Sequence, residues 1–480
     1  MTLVAGIDSS TQSCKVVIRD LETGATVRTG RAAHPEGTEV HPQAWWIALE
    51  SAVADAGGLN DVASISIAAQ QHGLVTLDVH GEVIRPALLW NDTRSSGSAE
   101  NLIAEIGAEE FAARTGSVPV ASFTITKLRW MADEEPANAA RIAAIALPHD
   151  WLTWRMRGYG PENPTLTELV TDRSDASGTG YFSPKSGEYD RELVSLALKF
   201  DASDIVLPVV LAAGDHRTIA VDSTHFRGGL IIGVGAGDNA GAALGLNATL
   251  GDAVVSIGTS GTVFGVSQLP ARDASGAVAG FSSATGDFLP LVATLNAARI
   301  LDSISSLLGV DHNGLAELAL QAPSGCEGLV LVPYFEGERT PNLPNATASL
   351  VGMTLRSATR ENLARAAVEG LLCGLADGLD ALRQQGLEVT RVLLIGGAAG
   401  NPAVAHVAAE VFNVPVVIPQ PGEYVAIGAA AQAAHALTGN WPHWPLAVVD
   451  TTPSAYQPII RGQYADAIAG LGLTPGAPIS

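Results

Sequence analysis

Residues 3–19 read LVAGIDSSTQSCKVVIR: an apolar run ending at Asp8, a Ser-Ser-Thr-Gln stretch, then a second apolar run. This pattern predicts two strands, Leu3–Ile7 and Val16–Arg19, joined by a turn that offers N–H and O–H donors. Residues 253–266, AVVSIGTSGTVFGV, repeat the plan around Gly258-Thr259-Ser260-Gly261. A second echo pairs SISIAAQQHG (64–73) with VLLIGGAAGNP (392–402), each a strand running into a small-residue loop. Two similar halves dividing near 240–250 account for both echoes and would set the matching turns opposite each other. Turns of this kind in both halves suggest a clamp on a phosphate chain; chance similarity of two α/β halves is the plainer alternative.

Working outward, further strands are expected at Ser64–Ala68, Gly229–Gly233, Ala253–Ile257, Leu329–Val332 and Val392–Ile395. Helices are expected at Pro42–Ala54, Arg360–Arg383 and Ile427–Leu437, the last ending at Gly439. Strands alternating with helices argue for α/β layers. The stretch 93–200 carries helical patterns and polar turns but few strands, and reads as an insertion in the first half.

Composition narrows the function. The 480 residues include 27 Lys and Arg against 49 Asp and Glu, a formal charge of −22. Hydrophobic residues make up 47% and charged ones 16%, enough for a large core and unlike a disordered chain. Nucleic acid and anionic membranes need clustered cations, so neither is expected as a partner. Such an acidic protein must hold phosphates with backbone amides and a metal ion. Three scattered cysteines, Cys14, Cys326 and Cys373, fit a reducing compartment rather than a disulfide framework. No run approaches a membrane span, and the N-terminus lacks a basic start and a long apolar stretch, so a cytoplasmic protein is expected.

The glycine-rich loops carry the candidate chemistry. None of Lys15, Lys127, Lys185 and Lys199 follows a glycine, which excludes the lysine-bearing phosphate loop. Gly235-Ala-Gly237-Asp238-Asn-Ala240 fits a relaxed dinucleotide pattern, but Asp238 would repel a pyrophosphate there. Asp238 instead serves as a proton acceptor or metal ligand, or it caps the helix that follows; spacing leaves both open. Asp8 suits Mg²⁺, a hard cation, or is an ordinary turn residue. Gly396-Gly397-Ala-Ala-Gly400-Asn401 allows a flat ligand near the backbone, with Asn401 as anchor, or is simply a tight strand–helix turn. Gln70-Gln71-His72-Gly73 and Trp90-Asn91-Asp92-Thr93-Arg94 are rich in groups that bind hydroxyls, although a single His after a strand is usually structural.

Together these segments resemble the FGGY carbohydrate kinases of the actin-like ATPase superfamily. Residues 122–135 (SFTITKLRWMADEE) are similar to that family's first signature. Residues 348–369 (ASLVGMTLRSATRENLARAAVE) are similar to its second, through Gly352, Asn362, Ala366 and Glu369. The resemblance implies an α/β protein of two RNase-H-like domains with a cleft between them: 1–245 on the sugar side and 246–480 on the nucleotide side. It implies ATP and Mg²⁺ as cofactors, Asp238 as general base toward a sugar C5 hydroxyl, and Asp8 as the metal-side carboxylate. Gln71, His72, Asn239 and Asp92 would then hold the sugar. Thr11 and Thr259 would lie near the transferred phosphate, with Gly397 and Asn401 at the adenosine. QQHG, WNDTR and GDNAG (237–241) look most like the loops of members acting on D-xylulose, and less like those of glycerol, gluconate or ribulose kinases. Two positions depart from the pattern: Ser10 replaces a glycine, and Gln71 stands where Met is frequent. The rivals are a kinase for another ketose or a polyol, a non-catalytic actin-like sugar sensor, and a nucleotide-dependent oxidoreductase. A homodimer is left open.

Overall fold

The computed structural model describes residues 1–219 and 226–473. These form two compact units, each built on its own mixed sheet. The first unit comprises Met1–Asn247, Pro270–Leu289 and Glu423–Pro445; the second comprises Ala248–Leu269, Pro290–Gly422 and Leu446–Ser480. Packing therefore does not divide the chain at one point near residue 245: two later segments return to the first unit.

The first sheet uses β1 (Leu3–Ser9), β2 (Ser13–Asp20), β3 (Thr26–Ala33), β4 (Val62–Ala69), β5 (His216–Thr218) and β6 (Ile231–Gly233), in the order β5-β6-β4-β1-β2-β3. The Ser-rich turn makes β1 and β2 an antiparallel hairpin, with Ile7 opposite Val16. β1 runs parallel to β4, and β6 joins the other edge of β4, also in parallel. The second sheet uses β7 (Asp252–Ile257), β8 (Gly261–Gly265), β9 (Phe288–Thr294), β10 (Arg391–Ile395), β11 (Val416–Pro419) and β12 (Val448–Thr452), ordered β9-β8-β7-β10-β11-β12. Here β7 and β8 are the antiparallel hairpin, β7 and β10 pair in parallel, and β12 closes the edge antiparallel to β11. From β4 through β1 and β2 to β3, and from β10 through β7 and β8 to β9, the two orders match, so that much of the repeated sequence pattern is a repeated topology. At the far edge the antiparallel strand precedes its neighbour in the chain in the first sheet and follows it in the second.

The expected strand at Leu329–Val332 forms, as Val330–Val332, outside the main sheet. It pairs antiparallel with Ser349–Val351 in a two-stranded ribbon, because that segment supplies its edge partner. The 93–200 region is mainly helical, including Ser96–Ile106, Thr124–Glu134 and Pro148–Met156. Among the described residues no helix is long and apolar enough to cross a membrane.

One face of the first sheet is covered by helix Pro42–Asp55, which buries Trp45, Leu49 and Val53 against β2 and β3. The alanine-rich helix Tyr424–Thr438 covers the other face, and Gly439 ends it in the left-handed conformation. Its approach is close enough to require glycine. A Cβ on Gly6 would fall 1.8 Å from the Ala426 carbonyl oxygen, and one on Gly428 would fall 1.9 Å from that of Gly241. Polar ties add register: Ser64 Oγ donates to Ala433 O at 2.7 Å, and Gln432 Nε2 donates to Gly235 O at 2.7 Å.

Helix propensity alone favours Gly428→Ala by about 1 kcal/mol. Overpacking against the Gly241 carbonyl acts the other way and costs roughly 1–3 kcal/mol. Urea denaturation of Gly428→Ala is expected to show net destabilisation; a stabilised variant would show that helix Tyr424–Thr438 can move away from Gly241 without cost.

Candidate active site

The site of the first unit follows from the registers on β4. Asp8 on β1 lies level with Ala68, and Ala236, in a short strand beyond β6, lies level with the same Ala68. Asp8, the Gln70-Gln71 pair and Asp238 therefore emerge from three adjacent strands at one sheet edge. In open α/β sheets such carboxyl ends are where ligands gather.

Asp8 is buried. Its carboxylate accepts a short hydrogen bond from Ser10 Oγ and lies 3.6 Å from Lys15 Nζ. Burial holds the Asp8 carboxyl above the usual carboxylate range, which Ser10 and Lys15 only partly offset. Ser10 is not among the left-handed non-glycine residues, so this turn does not require the glycine it lacks. Thr11 Oγ1 accepts the indole N–H of Trp90 at 2.8 Å and donates to Gln70 Oε1 at 3.3 Å. Trp90 thus joins the site through a contact the sequence did not disclose.

Asp238 is the first residue of helix Asp238–Gly245, and the N-cap is Gly237. Asp238 is therefore not the N-cap residue itself, although its carboxylate takes one amide of the helix's first turn. Asp238 Oδ1 accepts from Asn239 N at 2.8 Å and Asn239 Nδ2 at 3.0 Å. Burial, followed by the charge of Asp8, raises the Asp238 carboxyl to about 7. Asn239 Nδ2 also reaches Gln71 Oε1 at 3.4 Å, so Asp238, Asn239 and Gln71 form one hydrogen-bonded set.

His72 and Asp92 are held otherwise. His72 has a φ of 69°, and its ring stacks on Phe123 at 4.9 Å while Nδ1–H donates to Gly178 O at 2.6 Å. Its carbonyl accepts from Lys127 Nζ at 2.8 Å, and Lys127 also donates to Ser122 O at 2.6 Å. Lys127 is fully buried, and that burial lowers its ammonium to about 7. The signature lysine is thus a brace for the 70–73 loop. For Asp92, burial pushes upward, but Arg94 and Thr38 outweigh it and hold the group below the usual range. Both Asp92 oxygens are engaged, Oδ1 by Arg94 and Oδ2 by Thr38.

Behind Asp238 lies a cluster that sequence reasoning missed. His149 Nδ1 is 2.6 Å from Asp175 Oδ2 and 3.3 Å from Asp150 Oδ1, all three side chains buried. Burial alone would lower the imidazole, yet Asp150, Asp175 and Asp172 outweigh it and keep the ring protonated. The protonated ring offsets the charge of these carboxylates only in part, and burial also raises the Asp150, Asp172 and Asp175 carboxyls. Its only local signal was the polar run TDRSDAS at 171–177.

In the second unit, Thr259 is exposed in the β7–β8 turn. The 396–401 loop leaves the adjacent end of β10, where Ser256 and Ile395 are paired. Gly396 has a φ of 96° and packs on Ile257, whereas Gly397 has open space around its Cα. Asn401 is the N-cap of helix Pro402–Val411: Oδ1 accepts from Ala403 N at 3.0 Å, and Nδ2 donates to His312 O at 3.2 Å. The tight-turn alternative thus describes the Asn401 side chain directly.

The raised pKa of Asp238 is a stability statement. Below the unfolded value near 4 both states are protonated and the group is neutral in effect; above about 7 its ionised form burdens the folded state. Asp238→Asn removes that burden. Its melting temperature is expected to exceed wild type at pH 8, with the difference shrinking toward zero at pH 4. A difference independent of pH would remove the carboxylate as its cause.

Residues 3–245 match the N-terminal domain of the FGGY family of carbohydrate kinases, and residues 253–437 match its C-terminal domain. The chain is 40% identical to the xylulose kinase of Streptomyces rubiginosus, over 99% of this chain and 97% of that one. It is 32% identical to the xylulose kinase of Escherichia coli K12, covering 82% and 81%. Among solved structures, the xylulose kinase of Bifidobacterium adolescentis superimposes with a TM-score of 0.92 at 46% identity, covering 97% of this chain and 99% of that one. With both domains matched and full-length relatives at such identity, this chain belongs to the FGGY family of carbohydrate kinases and is an enzyme of that class.

Proposed function

We propose that this kinase transfers the γ-phosphoryl group of ATP to D-xylulose, giving D-xylulose 5-phosphate and ADP. The choice of sugar is supported by the full-length xylulose kinase relatives. The mechanism is carried by one observation: a carboxyl raised to about 7, beside Asp8 and tied through Asn239 to Gln71.

In this reading Asn239 and Gln71 orient the sugar in the first unit. Asp238 takes the proton of the C5 hydroxyl, and the resulting oxygen attacks the γ-phosphorus in line while ADP leaves. A base with a pKa near the working pH suits this task. The second unit supplies the nucleotide side through the 258–261 turn and the open backbone at Gly397. Because Asn401 is a helix cap, its role there is to hold that loop in shape. His72 and Asp92 are assigned to shaping the sugar loops, through the His72 carbonyl brace and the Arg94–Thr38 lock.

Asp8 fits Mg²⁺: it is a buried carboxylate in a raised-pKa environment beside a second carboxylate, so a hard divalent cation would relieve the repulsion. Bound there, Mg²⁺ would neutralise charge on the transferring phosphoryl group, where catalysis is mostly positioning and electrostatics. Thr11, tied to Trp90 and Gln70, presents the turn that faces the same phosphate.

Two outcomes are expected. ADP release measured over a sugar panel should give D-xylulose a kcat/KM at least about tenfold above D-ribulose, glycerol and D-gluconate, a preference of about 1.4 kcal/mol. A reversed order would reassign the enzyme to another ketose or polyol. Asp238→Asn should lower kcat by at least about 10²-fold, and wild-type kcat/KM should rise with pH to a plateau above about 7. An active Asp238→Asn enzyme would remove Asp238 as the base.

A further inference from the structure

Two groups must keep a fixed spacing if Asp238 is to reach a hydroxyl that Gln71 and Asn239 hold. They come from adjacent strands, paired through Ala68 and Ala69 with Ala236 and Gly237, and their side chains are tied by the 3.4 Å contact of Asn239 with Gln71. A third element makes the connection firm. Ser174 is fully buried in the short helix Arg173–Ala176, whose N-cap Asp172 accepts the amides of Ser174 and Asp175 at 2.8 and 3.0 Å. Ser174 Oγ accepts the Gly237 N–H at 3.1 Å, at the residue immediately before Asp238. Its carbonyl accepts Gln71 Nε2 at 3.1 Å and Ser177 Oγ at 2.7 Å.

This residue sits against the buried His149 cluster. His149 bonds Asp175, the neighbour of Ser174, and its ring also underlies the segment leading to Asp238, since a Cβ on Gly235 would fall 2.7 Å from His149 Nε2. A Cβ on Gly237 would fall 2.6 Å from Gln71 Cγ, so the two anchored residues are in contact as well.

We infer that Ser174 is a positioning residue: through Oγ it fixes the peptide before the base, and through its carbonyl it fixes the sugar-side amide of Gln71. This rests on the reading of Asp238 as general base. Removing Oγ leaves the Gly237 N–H unpaired and frees the start of the Asp238 helix, while the backbone hold on Gln71 stays.

The test is a double-variant cycle with Ser174→Ala and Asp238→Asn, read as kcat, KM for each substrate and melting temperature. Ser174→Ala alone is expected to lower kcat by about tenfold or more, because small misplacements of reacting groups are costly, with KM for ATP unchanged. In the Asp238→Asn background the same change is expected to cost less than about twofold, since the group it positions is already disabled. Losses that multiply in the double variant, or a Ser174→Ala enzyme with wild-type kcat, would overturn the proposal. An active Asp238→Asn single variant overturns the base assignment and this proposal with it, and is visible without Ser174 being touched. Should Ser174→Ala fail to fold, Ser174→Cys keeps the volume with a much weaker acceptor and carries the same cycle.

Discussion

The structure of the first unit hangs on the parallel register of β4. That strand is paired on both sides, to β1 with Ile67 level with Ile7, and to Ala236–Gly237 through Ala68 and Ala69. A slip of one residue between β1 and β4 would send the Asp8 side chain to the other face of the sheet, because side chains alternate faces along a strand. Buried apolar residues on β1 and β4 prevent such a slip: Val4, Ala5, Ile7, Ile65 and Ile67 show no exposure. The register is thus enforced by the core, and the carboxylates inherit their positions from it.

Charge explains much of what surrounds those carboxylates. Of the four lysines, Lys15 faces Asp8 and Glu423, Lys127 braces two carbonyls, and Lys199 pairs with Asp133. In a chain of net charge −22 the cations near the first site are spent on structure. Backbone turns and a divalent ion are then the natural partners for a phosphate chain.

Much of this was legible in the sequence, for a physical reason in each case. The hairpins and parallel strands show as apolar runs beside small-residue turns, because buried strands and exposed turns differ sharply in composition. Asp238 stood out as a carboxylate on a glycine-rich strand end, where the proton-acceptor and helix-cap readings were both open. What stayed hidden depends on distant partners. Lys127 bonds the carbonyl of a residue 55 positions away, and Ser174 lies 63 positions from Gly237; neither leaves a local pattern. Asn401 was read as a ligand anchor or part of a tight turn, and its cap geometry decides how its side chain is used. The alanine-rich helix at 424–438 was visible, but its uniform small side chains gave no sign of which sheet it covers.

That last helix sets an order on how the protein is made. It covers β1 and β4, near the start of the chain, with a segment more than 350 residues later in synthesis. While the ribosome works through the intervening stretch, Val4, Gly6, Ser64 and Ser66 have no native cover. The β1 and β4 face therefore waits, open on one side, until a segment more than 350 residues further along is translated. Glycine and serine on that face, rather than a broad aliphatic patch, leave a surface that is less adhesive during the wait.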